Sequence, residues 1–462
     1  MTTLIDIDAL AQVISPHCIS QTPDDLLRHS YDWSPLSVKW KGQKKTHLQP
    51  EVVVTPRNQE DVSRVLAWSS KHSVSVTPWG AGSSVSGAGL ASRGICLDLS
   101  DMNRTLDIDS LNHTVRVETG KMGHVLESEL NAHGFTLNHS PQSLDRSTVG
   151  GWVSTRASGQ FSSRWGSIED LCISVTAVLP DGGTVTTPNT PRAAVGPDIR
   201  HLFIGAEGMM GVITEARLKI FPLPELRLFE CIRFANLQAG IESMRQFMQC
   251  GLRPFLVRLY DAEEAQYAMG DDTVSDPVLF VGCEGVRAVA TAEMVAVVDI
   301  CMKNCGEMLG PTPVKSWMEK RFDFSAVEKI LNSAGGVAET IEVACFWRDV
   351  ETTYQCVKKA VAPHVDKVLG HFSHAYPQGT SIYLILFGKA EDDAAAEQQI
   401  LKIWDSAMQA ALNCGAAISH HHGIGYVRRQ FVAPYLGSAI GLLRNIKKSI
   451  DPNSTMNPGK WL

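Results

Sequence analysis

No apolar run in the 462 residues approaches the roughly 20 that would span a bilayer, so no transmembrane helix is expected. Basic residues are not in excess. Lys and Arg number 42 against 49 Asp and Glu, and the formal charge of −7 argues against a nucleic-acid partner. The 11 cysteines include no CxxC pair, and an odd, dispersed set fits buried reduced thiols better than a disulfide framework. Cys301 and Cys305 are four apart and suit one helix face, but two ligands do not make a metal site, so they read as packing. A signal peptide is not expected, because "MTTLIDIDALAQ" puts Asp6 and Asp8 where a basic end and an apolar core would stand. Cytoplasmic residence is the default, with peripheral membrane association left open. There is neither an internal repeat nor a long disordered linker.

The length exceeds what one hydrophobic core usually supports, so two or more domains are expected. Residues 1–225 alternate strands, helices and glycine-rich turns. Asn58-Gln59-Glu60 followed by Val62, Val65, Leu66 and Ser69 predicts a helix, and "VSVTP" a strand stopped at Pro78. Helices are expected over 121–133 and 238–250. The breaker "FPLPE" closes this region. Residues 226–410 alternate amphipathic helices with strands such as "TSIYLILFG" and read as a second, α/β domain. A segment from 411 to 462 carries three consecutive histidines, a helix near 437–449 and the tail "DPNSTMNPGKWL".

Three glycine- and serine-rich stretches stand out in the first region. "TPWGAGSSVSGAGL" (77–90) follows a strand, but Gly80-x-Gly82-x4-Gly87 is not GxGxxG, and Gly87 and Gly89 would weaken any helix begun there. Asp98 lies near the distance of a ribose-binding acid, yet sits within the next strand and reads as a decoy. Backbone N–H groups and hydroxyls in such a turn suit a pyrophosphate; alone, the loop reads equally well as a solvent turn. "PQSLDRSTVGGWVSTRASG" (141–159) and "GAEGMMGVIT" (205–214) tip the balance. Three such loops fit an extended cofactor gripped at several points by backbone.

Together, "PWGAGSS", the 141–159 stretch, "GSIEDLCISVTAVLPDGG" and "FIGAEGMMGVITEA" resemble the FAD-binding domain of the vanillyl-alcohol-oxidase superfamily, from about residue 45 to the end. The resemblance implies an α+β fold: a PCMH-type FAD-binding domain of two subdomains, plus an α/β cap of ferredoxin-like character over the substrate. It assigns the cofactor to Pro78, Trp79, Gly80, Ala81, Gly82, Ser83 and Ser84; to Pro141, Ser143, Ser147, Thr155, Arg156, Ala157 and Ser158; and to Glu207, Gly208, Gly211, Val212 and Ile213. Relatives that bond FAD covalently often use a histidine in the first loop. Ser83 or Ser84 holds that place here, so non-covalent FAD is expected.

Two branches of the family fit. "RHSYDWSP" and "DPNSTMNPGK" look like the D-lactate, glycolate and D-2-hydroxyglutarate dehydrogenases, which oxidise a 2-hydroxy acid by hydride transfer to FAD. "STVGGWVSTRASG" and "SHHHGIG" look like alkylglycerone-phosphate synthase, which exchanges an acyl group for a fatty alcohol without net redox change. Dehydrogenases of this kind often hold a metal through two histidines and a glutamate. Only His371 survives: Tyr383 stands for the second histidine and His421 for the glutamate. No metal is therefore expected, although zinc accepts imidazole.

Tyr383 matches the synthase's active-site tyrosine. His422, at a position shared by both branches, is the expected base, with His420 and His421 holding substrate oxygens or setting its orientation. Arg321 resembles the dehydrogenases' substrate arginine, whose planar fork suits a carboxylate or phosphate. Arg258 reads as an ion pair with Asp261, Arg428 and Arg429 as surface, and Lys460 as closing the tail on the cofactor domain. The leading expectation is an FAD-dependent oxidoreductase acting on a small anionic hydroxylated molecule. The synthase-like transferase comes second, and a flavin-binding protein without catalysis third. The electron acceptor and self-association as a homodimer are left open.

Overall fold

The computed structural model describes residues 5–462 as mixed helix and sheet. A first, small sheet sets Val52–Val54, Ile95–Asp98 and Val76–Trp79 in parallel, with Ile19–Ser20 as an antiparallel edge. Nearly every side chain of the three parallel strands is buried, as parallel strands under crossovers require. The crossover helix Gln59–His72 begins where the sequence predicts. The Asn58 side chain accepts the Asp61 N–H at 2.9 Å, and Val62, Val65, Leu66 and Ser69 form its buried face. A second sheet orders Thr105–Asp109, Thr114–Glu118, Val212–Lys219, Cys172–Val178 and Thr184–Thr186, all antiparallel.

The third sheet has seven antiparallel strands. Its first unit runs strand, helix, strand, strand, helix, strand: Leu226–Arg233, Leu237–Gln249, Leu256–Tyr260, Val278–Gly285, Arg287–Lys303 and Glu307–Gly310. The fourth strand lies beside the first and the third between the first and second, which is the ferredoxin-like order. A second unit begins the same way with Gly336–Phe346, Val350–Val361, Lys367–Ser373, Gly379–Lys389 and Asp393–Asn413. No fourth strand follows. At that edge the chain makes a single bridge, Ala344 to Ala417, and then turns through His420–His422. The histidines therefore hang from the open edge of the sheet, beside the strand Gly336–Phe346.

Ile241, Met244 and Phe247 of one helix, and Ile400, Ile403, Trp404 and Ala407 of another, are buried against this sheet, each large apolar side chain contributing about 1.5–3 kcal/mol. The tail returns to the glycine loops. Asn457 Nδ2 donates to Ala88 O and Glu207 O, and Lys460 Nζ to Leu90 O at 2.7 Å.

Candidate active site

Two adjoining cavities lie where the loops converge. One, of about 770 Å³ with its mouth included, is lined by Pro78, Trp79, Gly80, Ala81, Gly82, Ser83 and Ser84, and by Glu207, Gly208, Gly211, Val212 and Ile213. The other, about 1380 Å³ with its mouth included, is lined by Pro141, Ser143, Ser147, Thr155, Ala157 and Ser158. Ser83, Ser84, Gly151 and Thr155 border both. Close backbone approach shapes the first. Gly208 has φ +74°, and a Cβ there would stand 2.8 Å from Pro78 Cγ. The backbone N–H groups of residues 80–84 find no acceptor among the described residues, which leaves a run of donors for an anion. In the wider cavity Gln160 presents both amide atoms, buried and without a partner.

The far wall of the wider cavity carries His371, His374, Tyr383, His421 and His422. Strand register sets Glu342, Tyr383 and His371 side by side. The Tyr383 ring stacks on His371 with centroids 4.7 Å apart and meets His422 edge-on at 5.7 Å. A single buried carboxylate organises the histidine segment. Glu342 accepts the N–H groups of His420 and His422, the Ser419 hydroxyl at 2.9 Å and the Arg428 guanidinium at 2.9 Å. His422 Nδ1 lies 3.5 Å from the same carboxylate, too far for a good hydrogen bond, and is buried without a partner, so Glu342 holds His422 through its backbone N–H at 3.1 Å. Glu207 grips the next residues: its carboxylate accepts from Ile424 N and Gly425 N at 2.5 and 2.9 Å, which ties the third glycine loop to the histidine turn.

Burial opposes a charge on Glu342, but Arg428 and then His422 bring it below the ordinary carboxylate value. Burial holds His420 and His422 down to about 4, against a smaller opposing pull from Glu342. His421 and His374 are held well below their ordinary value, by burial first and by neighbouring imidazoles second. Burial pushes the Tyr383 phenol up to about 12. At neutral pH these imidazoles and the phenol are thus uncharged, beside the buried Glu342–Arg428 pair.

Several expected residues stand elsewhere. Arg321 is not on the cavity wall: its guanidinium donates to the Met318 carbonyl and lies 4.2 Å over the Phe322 ring. The sequence placed it by a resemblance that the local helix end does not honour. Arg156 closes the helix Val149–Thr155 with φ +56° and pairs with Glu169 at 2.9 Å, outside the cavities. His420 stands behind the wall, its Nε2 2.7 Å from the Tyr376 hydroxyl. Arg428 is fully buried rather than at the surface, because it neutralises Glu342. Arg258 does not pair with Asp261, which Lys358 takes at 3.0 Å. It lies 3.8 Å from Glu264, donates to Tyr260 Oη and lines the wider cavity. His371 is committed to Glu264 at 2.7 Å. Arg429 does lie at the surface, over Tyr426. Sequence reasoning missed Glu342, His374 and Gln160. An acid at an inward position of "TIEVACF" was the one available sign of the first.

Residues 50–188 match the FAD binding domain family, and residues 223–461 match the FAD linked oxidases, C-terminal domain. The chain belongs to the FAD-linked oxidase family. It is 34% identical over 430 residues to an uncharacterized FAD-linked oxidoreductase of Escherichia coli, covering 89% of this chain and 88% of that protein. It is 28% identical over 423 residues to a mitochondrial D-lactate dehydrogenase (cytochrome) of Arabidopsis thaliana, covering 89% and 73%. A solved alkyldihydroxyacetonephosphate synthase superposes with a TM-score of 0.83 at 25% identity, covering 98% of this chain and 85% of that one.

FAD is the cofactor of this FAD-linked oxidase, and the residues present fit it. The unclaimed N–H groups of 80–84 suit the pyrophosphate, and the orphaned Gln160 amide suits the polar edge of a ring that alternates donors and acceptors. Bound there, the flavin supplies the capacity to accept a hydride.

Proposed function

We propose that this flavoenzyme oxidises a hydroxylated anion, a D-2-hydroxy acid or a close analogue, with dissociable FAD. The observation that carries the reading is His422: a neutral imidazole, its backbone held by a buried carboxylate, on the wall of a cavity that adjoins the cofactor cradle. Its Nε2 would take the proton from the substrate's hydroxyl oxygen while the carbon bearing that hydroxyl gives up a hydride, which bound FAD would accept, and the Tyr383 hydroxyl would steady the oxygen. Arg258, the arginine on the cavity wall, is the anchor for the anionic group in place of Arg321.

A second reading is favoured by the rest of the lining. Trp33, Pro35, Val85, Phe324, Val327, Leu331 and Ile385 make much of the cavity lining apolar, which suits an aliphatic chain and hence an exchange of the alkylglycerone-phosphate-synthase kind. Anaerobic mixing of the FAD-loaded protein with D-2-hydroxy acids of increasing chain length decides between them. Bleaching of the flavin band supports oxidation. No bleaching, with incorporation of a labelled fatty alcohol into acyl-dihydroxyacetone phosphate, refutes it in favour of exchange.

A further inference from the structure

Three imidazoles converge beside the proposed base without a role in the proton transfer. His374 comes from the turn after Lys367–Ser373, and His420 and His421 from the edge segment. One ring nitrogen of each lies within 4.8 Å of the others. His420 Nδ1 and His421 Nδ1 are 2.9 Å apart. Two ligands on a tetrahedral ion with Zn–N bonds of about 2.0–2.1 Å stand about 3.4 Å apart, so the 2.9 Å pair must open by about 0.5 Å and no pair need close by more than about 1.4 Å.

The outer nitrogens of two of the three are already held. Ser162 Oγ lies 2.6 Å from His374 Nδ1, and the Tyr376 hydroxyl 2.7 Å from His420 Nε2. A hydroxyl oxygen that accepts the N–H on one side of an imidazole leaves the lone pair on the other, the usual outer support of a metal-binding histidine. No carboxylate joins the cluster, since Glu342 is occupied by Arg428 and the backbone, which disfavours magnesium or calcium and favours a nitrogen-loving ion. His371, the surviving member of the histidine–glutamate pattern, is tied to Glu264 and takes no part.

We propose that His374, His420 and His421 bind a divalent metal ion of the zinc class, with a fourth position open to the wider cavity. His374 and His421 both line that cavity, so an anionic or hydroxyl oxygen of a bound molecule completes the tetrahedron. This site goes beyond the oxidation proposed above and does not depend on it.

The test uses the FAD-loaded protein after treatment with a chelator. Titration calorimetry with Zn²⁺ should show one ion per chain. Co²⁺ should give tetrahedral absorption on the long-wavelength side of the flavin band. Ser162→Ala removes only the outer support and should weaken binding by about 10–100-fold, and His374→Ala by at least as much, with flavin content unchanged. His371→Ala should leave the affinity as it was. Absence of saturable uptake by the wild-type protein overturns the proposal, as does uptake that His371→Ala abolishes and Ser162→Ala leaves intact. If His374→Ala loses its flavin, Ser162→Ala alone decides. Turnover is not read in any arm, so failure here is separate from failure of the proposed oxidation.

Discussion

Replacing Glu342 with glutamine tests the organisation of the site most directly. Glu342 and Arg428 both have fully buried side chains, 2.9 Å apart. Removing one partner of such a pair leaves an uncompensated buried charge and costs about 3–5 kcal/mol, whereas removing both costs far less than the sum. Glu342→Gln and Arg428→Met should therefore each lower the unfolding free energy by about 3–5 kcal/mol, and the double variant should lose much less than about 6–10 kcal/mol. Glutamine also turns an N–H₂ toward donors that need an acceptor: the backbone of His420 and His422 and the Ser419 hydroxyl. The histidine turn loses its anchor, and turnover should fall by about 10²–10⁴-fold, the contribution of a positioned base, with FAD still bound. Denaturant melts of the FAD-loaded single and double variants measure the cycle, and steady-state kinetics the rate. Additive losses, or Glu342→Gln turning over like wild type, would refute the view that this carboxylate builds the site.

His422→Ala should lower turnover by about 10²–10⁴-fold and leave flavin absorbance and content unchanged; an unchanged rate removes His422 from the chemistry. Burial holds His139 to about 3 and neither ring nitrogen has a partner, so the folded protein leaves it neutral while the unfolded chain protonates it near its usual value of about 6.5. Stability therefore falls as pH drops below that value, by about 1.4 kcal/mol per unit until about 3, and between pH 7 and 5 the wild type should lose about 2 kcal/mol more than His139→Phe; equal losses in denaturant melts at the two pH values would count against it. Gly208→Ala, at φ +74° with Pro78 2.8 Å from the new Cβ, should cost about 1–3 kcal/mol and weaken FAD binding in a flavin titration; wild-type affinity would remove the third loop from the cradle. Arg321→Met should leave kcat and KM unchanged in steady-state assays, and a marked rise in KM would return this arginine to the substrate.

The cradle was legible in the sequence because glycine and small hydroxyl residues reveal backbone approach whatever the tertiary context. Pro78 to Ser84 and residues of the Glu207 to Ile213 stretch, which the family resemblance assigns to the cofactor, line one cavity. Helix starts were legible for the same local reason, as at Asn58 and Asp61. Long-range pairings were not. Glu342 meets Arg428, and Arg258 meets Glu264 rather than its near neighbour Asp261, because strand register decides which charges share a layer. The cap's doubled topology was hidden too: its two units share strand order, which composition does not encode, and the second lacks its final strand. His374 escaped notice because its partners are 46 and 47 residues away in the chain and become neighbours only at the sheet edge.

That missing strand explains why the site sits where it does. A full fourth strand would commit the backbone of residues 417–422 to a ladder along Gly336–Phe346 and alternate its side chains between the two faces. Here pairing stops after Ala417, and the backbone N–H groups of His420 and His422 turn instead to a side chain of the strand they left, Glu342. The adjacent His421 and His422 can then both face the cavity, which no regular strand allows. Arg428 neutralises the buried Glu342 carboxylate, and burial keeps the imidazoles beside the pair uncharged. The same carboxylate thus ends the sheet, fixes the turn and holds the backbone of the proposed base.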